Sequence, residues 1–284
     1  MRILLTGISG QVGWELQRTL APLGEVIAAG RGVLDLADTA SIRRRVAALA
    51  PDLIVNPAAY TAVDKAESES GLAHAINAAA PGELAACGIP LVHFSTDYVF
   101  DGKKAGAYTE ADAPNPLGVY GASKLAGERA VQRAGVPHLI LRTSWIYGLR
   151  GRNFLLTMQR LARERDALNV VNDQFGAPTW SRLVAEATSL AIARWLLGPD
   201  QTATSGVYHV SCSGRTSWHG FAAAILANLA ATEGKLARLS AIPSSAYPTP
   251  AMRPANSQLE CGKLAATFGV RLPDWEEALA LCLE

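Results

Sequence analysis

The 284-residue sequence predicts an α/β protein: a doubly wound parallel sheet followed by a smaller, irregular C-terminal domain. Two patterns carry that expectation. Over the first half of the chain, short apolar runs alternate with amphipathic stretches, as repeated β-α-β units require. The runs themselves, such as RILLT and LIVN, are apolar nearly throughout rather than alternating, as strands buried on both faces should be.

Taken in order, residues 2–6, 25–29, 53–56, 90–95 and 138–143 read as strands, with helical stretches at 14–20, 42–49, 73–86 and 125–134. After about residue 150 the alternation loosens. Helices are expected at 154–163, 183–196 and 218–229 and a strand at 207–210, while IPSSAYPTPAMRP (242–254) is too rich in turn formers for regular structure. The expected division is therefore a nucleotide-binding domain over 1–150, which a later segment can rejoin, and a mainly substrate-binding domain over 151–284.

Charge is nearly balanced, 26 basic against 25 acidic side chains, which argues against a nucleic-acid or anionic-membrane surface and for small-molecule chemistry. No segment approaches the roughly 18 uninterrupted apolar residues of a membrane span, and the start, MRILLTG, is a poor export signal. A cytoplasmic protein is expected. The 4 cysteines form no Cys-x-x-Cys pair and the 5 histidines have no ligand-like spacing, so neither structural zinc nor a disulfide framework is expected.

In open parallel sheets ligands bind beyond the carboxyl ends of the strands, so those ends carry the functional reading. The first strand runs into TGISGQVGWEL, with Gly7, Gly10 and Gly13 spaced Gly-x-x-Gly-x-x-Gly and a helix beginning at the second glycine. Such a turn brings backbone amides and a helix N-terminus up to a pyrophosphate, the Rossmann arrangement, although turn glycines alone are common. The second strand ends in AAGRG, where Arg31 replaces the acidic residue that would bind the adenosine ribose of NAD. A guanidinium there suits a 2′-phosphate and favours NADPH, while nearby Asp35 leaves NADH open. The fourth strand ends in Ser95, Thr96 and Asp97, hydroxyls able to bind a carbonyl but also ordinary turn formers. Tyr120 and Lys124, four apart in VYGASKLAGE, would share one helix face, where an ammonium lowers a phenol's pKa and fits it to donate a proton to a carbonyl as hydride arrives.

With these elements in this order, the chain resembles the extended short-chain dehydrogenase/reductases, and within them the dTDP-4-dehydrorhamnose reductase family. The blocks TGISGQVGWEL, NPAAYTAVDKAE, FSTDYVFDG, VYGASKLAGE, LRTSWIYG, NDQFGAPT and PTPAMRPANS run from end to end. The resemblance implies NADPH- or NADH-dependent reduction of a 4-keto dTDP-sugar. It implies that Tyr120 is the proton donor, that Lys124 lowers its pKa and holds the nicotinamide ribose, and that Thr96 binds the 4-keto oxygen. It further implies Gly10, Gln11 and Val12 at the pyrophosphate, Asp35 and Leu36 by the adenine, and Ala59, Tyr60 and Thr61 on the cofactor. Asp97 and Trp145 would face the sugar, the indole as a flat apolar wall, and Arg253 would meet the diphosphate with paired donors.

Some members of that family form a homodimer bridged by Mg²⁺ through glutamates. Glu15 keeps one such position, but Arg182 stands where a second glutamate would be wanted, and a cation there repels the metal. Mg²⁺ is not expected at that interface, and a monomer or weak homodimer is. Two rival readings are a reductase of a related 4-keto-6-deoxy sugar nucleotide and a non-catalytic regulatory subunit, the latter disfavoured by an intact Thr96, Tyr120 and Lys124.

Overall fold

Ile3, Leu4 and Leu5 are completely buried, and they point alternately into two different cores. That alternation defines a strand covered on both faces, each such side chain contributing about 1.5–3 kcal/mol by leaving water. The computed structural model describes residues 1–284 except 199, 232, 233 and 235. In the first half, strands β1 (Arg2–Leu5), β2 (Glu25–Ala28), β3 (Leu53–Asn56), β4 (Leu91–Thr96) and β5 (His138–Thr143) alternate with helices. The helices are α1 (Gln11–Thr19), α2 (Ile42–Leu49), α3 (Val63–Ala66), α4 (Ser70–His74), α5 (Ala80–Ala85) and α6 (Val119–Ala134).

The second half supplies β6 (Ile146–Tyr147), α7 (Phe154–Glu164), β7 (Ala167–Val171), β8 (Phe175–Gly176), β9 (Thr179–Trp180) and α8 (Ser181–Leu197). These are followed by β10 (Gly206–His209), β11 (Thr216–Ser217), α9 (Trp218–Ala230), β12 (Arg238–Ile242), α10 (Gly262–Phe268) and α11 (Trp275–Leu283). The main sheet has six parallel strands in the order β10-β5-β4-β3-β1-β2. One face carries Leu16 of α1, Val184 and Ile192 of α8, and Leu264 and Phe268 of α10; the other carries Ile42 and Val46 of α2, Leu84 of α5 and Val131 of α6. The protein is thus a doubly wound α/β structure.

Three late segments belong to this layer structure, with α10 adding Leu264 and Phe268 to the core on the α1 face. β10 continues the sheet beyond β5, and α8 packs along α1. A separate core of Tyr147, Leu155, Met158, Leu168, Phe221, Ile225, Trp275 and Leu279 holds the second lobe, where β7 and β12 pair in parallel.

The stretch 73–86, expected as one helix, is instead α4, a π turn at Ala75–Ala79 and α5. Pro81 explains the break: its ring meets the carbonyl four residues back and it has no N–H to donate, so the turn before it widens. The widening places the Asn77 amide where it grips the Tyr60 backbone, accepting from the amide N–H at 2.8 Å and donating to the carbonyl at 3.1 Å. Among the described residues no helix is long and apolar enough to cross a membrane.

Candidate active site

β1 lies between β2 and β3, so the chain reverses direction across the sheet at this point and leaves a crevice beyond the carboxyl ends of β1 and β3. A cavity of about 710 Å³ occupies it. Gly7, in the left-handed region at φ +57°, makes the turn, and a Cβ added there would approach the Ala58 amide nitrogen to 2.8 Å. Gly10 caps α1, and a Cβ on Gly13 would lie 2.1 Å from the Gly7 carbonyl oxygen, so helix and strand touch through glycine. Gly7, Gly10, Gln11, Val12 and Gly13 all line the cavity. Asn153 donates to the Gln11 carboxamide at 2.9 Å and braces the loop 148–153 over the turn.

Arg31, Asp35 and Leu36 line the same cavity after β2, and Ala59 and Thr61 line it after β3. Tyr60 does not. Its hydroxyl turns to Glu69 Oε2 at 2.5 Å, so its side chain faces away from the expected cofactor position while its backbone stays clamped by Asn77. The exposed guanidinium of Arg31 supplies positive charge beside the Gly30 backbone, a donor set that suits a 2′-phosphate. The cradle therefore fits a dinucleotide.

β4 delivers the polar residues. Ser95 and Thr96 both line the cavity, and the Ser95 hydroxyl is engaged in donating to Glu128 Oε1 at 2.5 Å. Thr96 donates to Asp97 Oδ1 at 2.9 Å and also hydrogen-bonds the Tyr120 phenol. Burial pushes the Asp97 carboxyl up to about 6 against the hydrogen bonds from Ser257 and Thr96. Tyr120 and Lys124 come from α6, which approaches closely because Gly121 has no side chain: a Cβ there would lie 2.1 Å from the Tyr98 carbonyl oxygen.

The expected tuning of Tyr120 by Lys124 takes a different form. The Lys124 ammonium donates to the Phe94 carbonyl at 2.6 Å. Burial raises the phenol to about 12, opposed by Thr96 and reinforced by Asp97, so near neutral pH Tyr120 keeps its proton. Burial likewise lowers Lys124 to about 8, and Glu128, one turn further along α6, opposes that fall. Beneath both, Arg142 donates twice to Glu128, at 2.9 and 2.6 Å.

Two residues expected at the substrate have close protein partners. Trp145 lines the cavity, but its ring is not a free flat wall, because Trp218 stacks on it at 3.6 Å between centroids. Arg253 does not line the main cavity. It donates to Asp64 at 2.8 Å and lines a second cleft with Asp173, Gln174, Ser244, Tyr247 and Met252, formed largely by the turn-rich segment itself.

Residues that the sequence reading did not single out complete the cavity: Trp218, Arg152, and the buried hydroxyls of Thr143 and Ser144, which have no protein partner. Thr143 pairs with Thr96 across β5 and β4, a relation that only the sheet register creates. Trp218, with no motif around it, gave no sequence signal beyond an aromatic at the start of a helix.

Arg182 lies on α8 in an ion pair with Glu186 at 3.2 Å, and among the described residues no group of three or more His, Cys, Asp or Glu could hold a metal ion. A Mg²⁺ site at this position does not fit a side chain that is already a cation.

A family model described as RmlD substrate binding domain matches residues 1–284. The dTDP-4-dehydrorhamnose reductase of Burkholderia thailandensis is 50% identical over 292 aligned positions, covering 100% of this chain and 98% of the relative. Among solved structures, a dTDP-4-dehydrorhamnose reductase of Clostridium acetobutylicum superposes with a TM-score of 0.91 at 36% identity, covering 100% of this chain and 98% of that one. The Bacillus anthracis dTDP-4-dehydrorhamnose reductase, solved in complex with NADP, gives 0.89 at 35% identity over 99% of this chain and 98% of that one. The chain belongs to the dTDP-4-dehydrorhamnose reductase family described by the RmlD substrate binding domain.

Proposed function

We propose that this chain catalyses the NADPH-dependent reduction of the 4-keto group of dTDP-4-dehydro-β-L-rhamnose, giving dTDP-L-rhamnose. The observation that carries the reading is the single cavity in which the glycine turn, Arg31, Thr96, Tyr120 and Lys124 converge. Family membership supplies the substrate class, and the NADP bound by the Bacillus anthracis relative supports the cofactor.

When bound, the nicotinamide supplies a hydride to C4 of the sugar. The protein's own residues do the rest. Gly7, Gly10, Gln11, Val12 and Gly13 receive the pyrophosphate at the start of α1, where free helix amides favour negative charge. Arg31 pairs with the 2′-phosphate, and Asp35, Leu36, Ala59 and Thr61 line the remainder of the cofactor bed. Tyr120, protonated because burial holds its pKa high, donates to the 4-keto oxygen as C4 becomes an alcohol. Thr96 holds that oxygen and links Tyr120 to Asp97. Lys124 supplies a buried positive charge beside the reacting oxygen and the nicotinamide ribose. Arg253 meets the sugar nucleotide's diphosphate, a role that the paired, charge-assisted donors of a guanidinium support. The domain roles follow, with residues 1–150 mainly holding the cofactor and 151–284 mainly the sugar nucleotide.

The assembly in solution is a monomer or weak homodimer, since Arg182 displaces the acidic donor a bridging Mg²⁺ would need. The decisive assay mixes purified protein with NADPH and dTDP-4-dehydro-L-rhamnose, follows nicotinamide absorbance and identifies the sugar. Formation of dTDP-L-rhamnose is expected; stable absorbance with both NADPH and NADH sinks the reading.

A further inference from the structure

Of the described residues beyond Arg152, Trp218 alone contributes to the wall of the main cavity. It is the first residue of α9, and its indole lies parallel to that of Trp145, with 7° between planes. Trp145 reaches this point from the other lobe. It follows β5 by two residues from Thr143, the register partner of Thr96, so the stack stands near the polar end of β4.

The pair is held in place by its protein neighbours, while both rings line the cavity. Trp145 has φ +49°, a left-handed conformation that is costly for a bulky side chain and persists only where the surroundings enforce it. A Cβ added at Gly176 would come within 2.7–3.1 Å of three atoms of the Trp145 ring, so the glycine backbone packs directly against the indole. Gly176 is paired through β8 to Thr216 of β11. Ser217, next along, caps α9 by accepting from the Gly220 amide at 3.0 Å, which sets the direction of the helix and hence of Trp218. Phe154 backs Trp218 at 4.7 Å.

We infer that Trp218 is a specificity-determining residue: stacked on Trp145, it fixes the surface on which the sugar ring rests and thereby which face of the C4 carbonyl meets hydride. The inference rests on the reductase reading above. A ketone at C4 is planar, and hydride delivery to its two faces gives two alcohols epimeric at that carbon. In either case C4 gains the hydride and its oxygen gains the Tyr120 proton, so the catalytic groups cannot by themselves choose the epimer. Tyr120 and Thr96 anchor the oxygen from the sheet side, but an anchored oxygen still allows the ring to turn over. A rigid wall contributed by the second lobe removes that freedom.

The test compares wild type, Trp218→Ala, Trp218→Leu and Trp218→Phe with NADPH and dTDP-4-dehydro-L-rhamnose, identifying the epimer from the proton couplings at C4. The leucine variant keeps apolar volume without the stack and covers a folding failure of the alanine variant. Expected for Ala or Leu is a KM for the sugar nucleotide raised about tenfold, as for loss of a buried aromatic anchor, together with appearance of the C4-epimeric alcohol. The KM for NADPH should stay within about twofold, and Phe should restore the single product, since a stacked ring is worth most of the interaction. An unchanged sugar KM and a single product in both Ala and Leu overturn the inference while leaving the reductase reading intact. So does a parallel loss of NADPH affinity and thermal stability, which marks a merely structural side chain. A wild type that reduces no sugar nucleotide overturns the reductase reading, and the inference with it.

Discussion

Arg142 grips Glu128 with two hydrogen bonds, 2.9 and 2.6 Å long, one helical turn beyond Lys124. Both side chains are buried, at 4% and 2% exposure, and Ser95 donates to the same carboxylate. Removing one member leaves an unpaired buried charge. Glu128→Ala should therefore lower unfolding stability by roughly 3–5 kcal/mol, whereas replacing both residues with apolar ones of similar volume should recover much of it. Urea unfolding of the two variants checks this; equal losses would show that the pair, not its imbalance, carries the stability.

The same carboxylate matters to pH dependence. Burial lowers Lys124 to about 8, and Glu128 resists that fall. The ammonium is the working form, so kcat/KM should decline as pH rises through about 8. In the combined Glu128, Arg142 apolar variant the decline should begin at lower pH. A profile flat to pH 10 in the wild type would remove Lys124 from the mechanism.

Asp97, in the cavity wall, is a buried carboxyl held at a stability cost. Its carboxyl is raised to about 6 by burial, so the folded state keeps the proton more tightly than the unfolded chain does. The contribution to stability is full below the unfolded value and is lost as pH rises through about 6. Asp97→Asn should thus gain on the order of 1–3 kcal/mol at pH 7, with the advantage shrinking toward pH 4, and should impair turnover. Thermal melts at pH 4 and pH 7 measure the difference; a gain independent of pH would contradict the argument.

Tyr120→Phe removes the phenolic proton and one member of the Tyr120, Thr96, Asp97 chain while keeping the ring beside Tyr98, whose centroid lies 5.4 Å away. Turnover should fall by about 10²–10⁴-fold, the usual worth of a general acid, with NADPH affinity unchanged. Stopped-flow nicotinamide fluorescence separates the two quantities.

Arg31→Ala tests cofactor choice. Loss of a charge-assisted contact should raise the KM for NADPH about tenfold, corresponding to about 1.4 kcal/mol, and leave that for NADH little changed. Parallel steady-state assays with both cofactors decide it, and equal effects on the two would show that Arg31 does not read the 2′-phosphate.

The sheet and most of its helices were legible because their determinants are local. Continuous apolar runs could only be strands buried on both faces, and Gly7, Gly10 and Gly13 announced a turn where backbone meets backbone. Pro81 also stood in plain view, yet the π turn it imposes depends on how the chain relieves the clash, which periodicity does not encode. Tyr60 and Arg253 were assigned from motif position, whereas their side-chain directions follow from Glu69 and Asp64, partners brought near by the fold.

Residue types and their order along the chain therefore determined the α/β class, the dinucleotide turn, and the set Thr96, Tyr120 and Lys124. Tertiary structure decided what surrounds them. It set the burial that keeps Tyr120 protonated and lowers Lys124, the register that brings Thr143 beside Thr96, and the stack of Trp218 on Trp145. Desolvation and long-range packing depend on which distant segments meet, and no window of sequence contains that information.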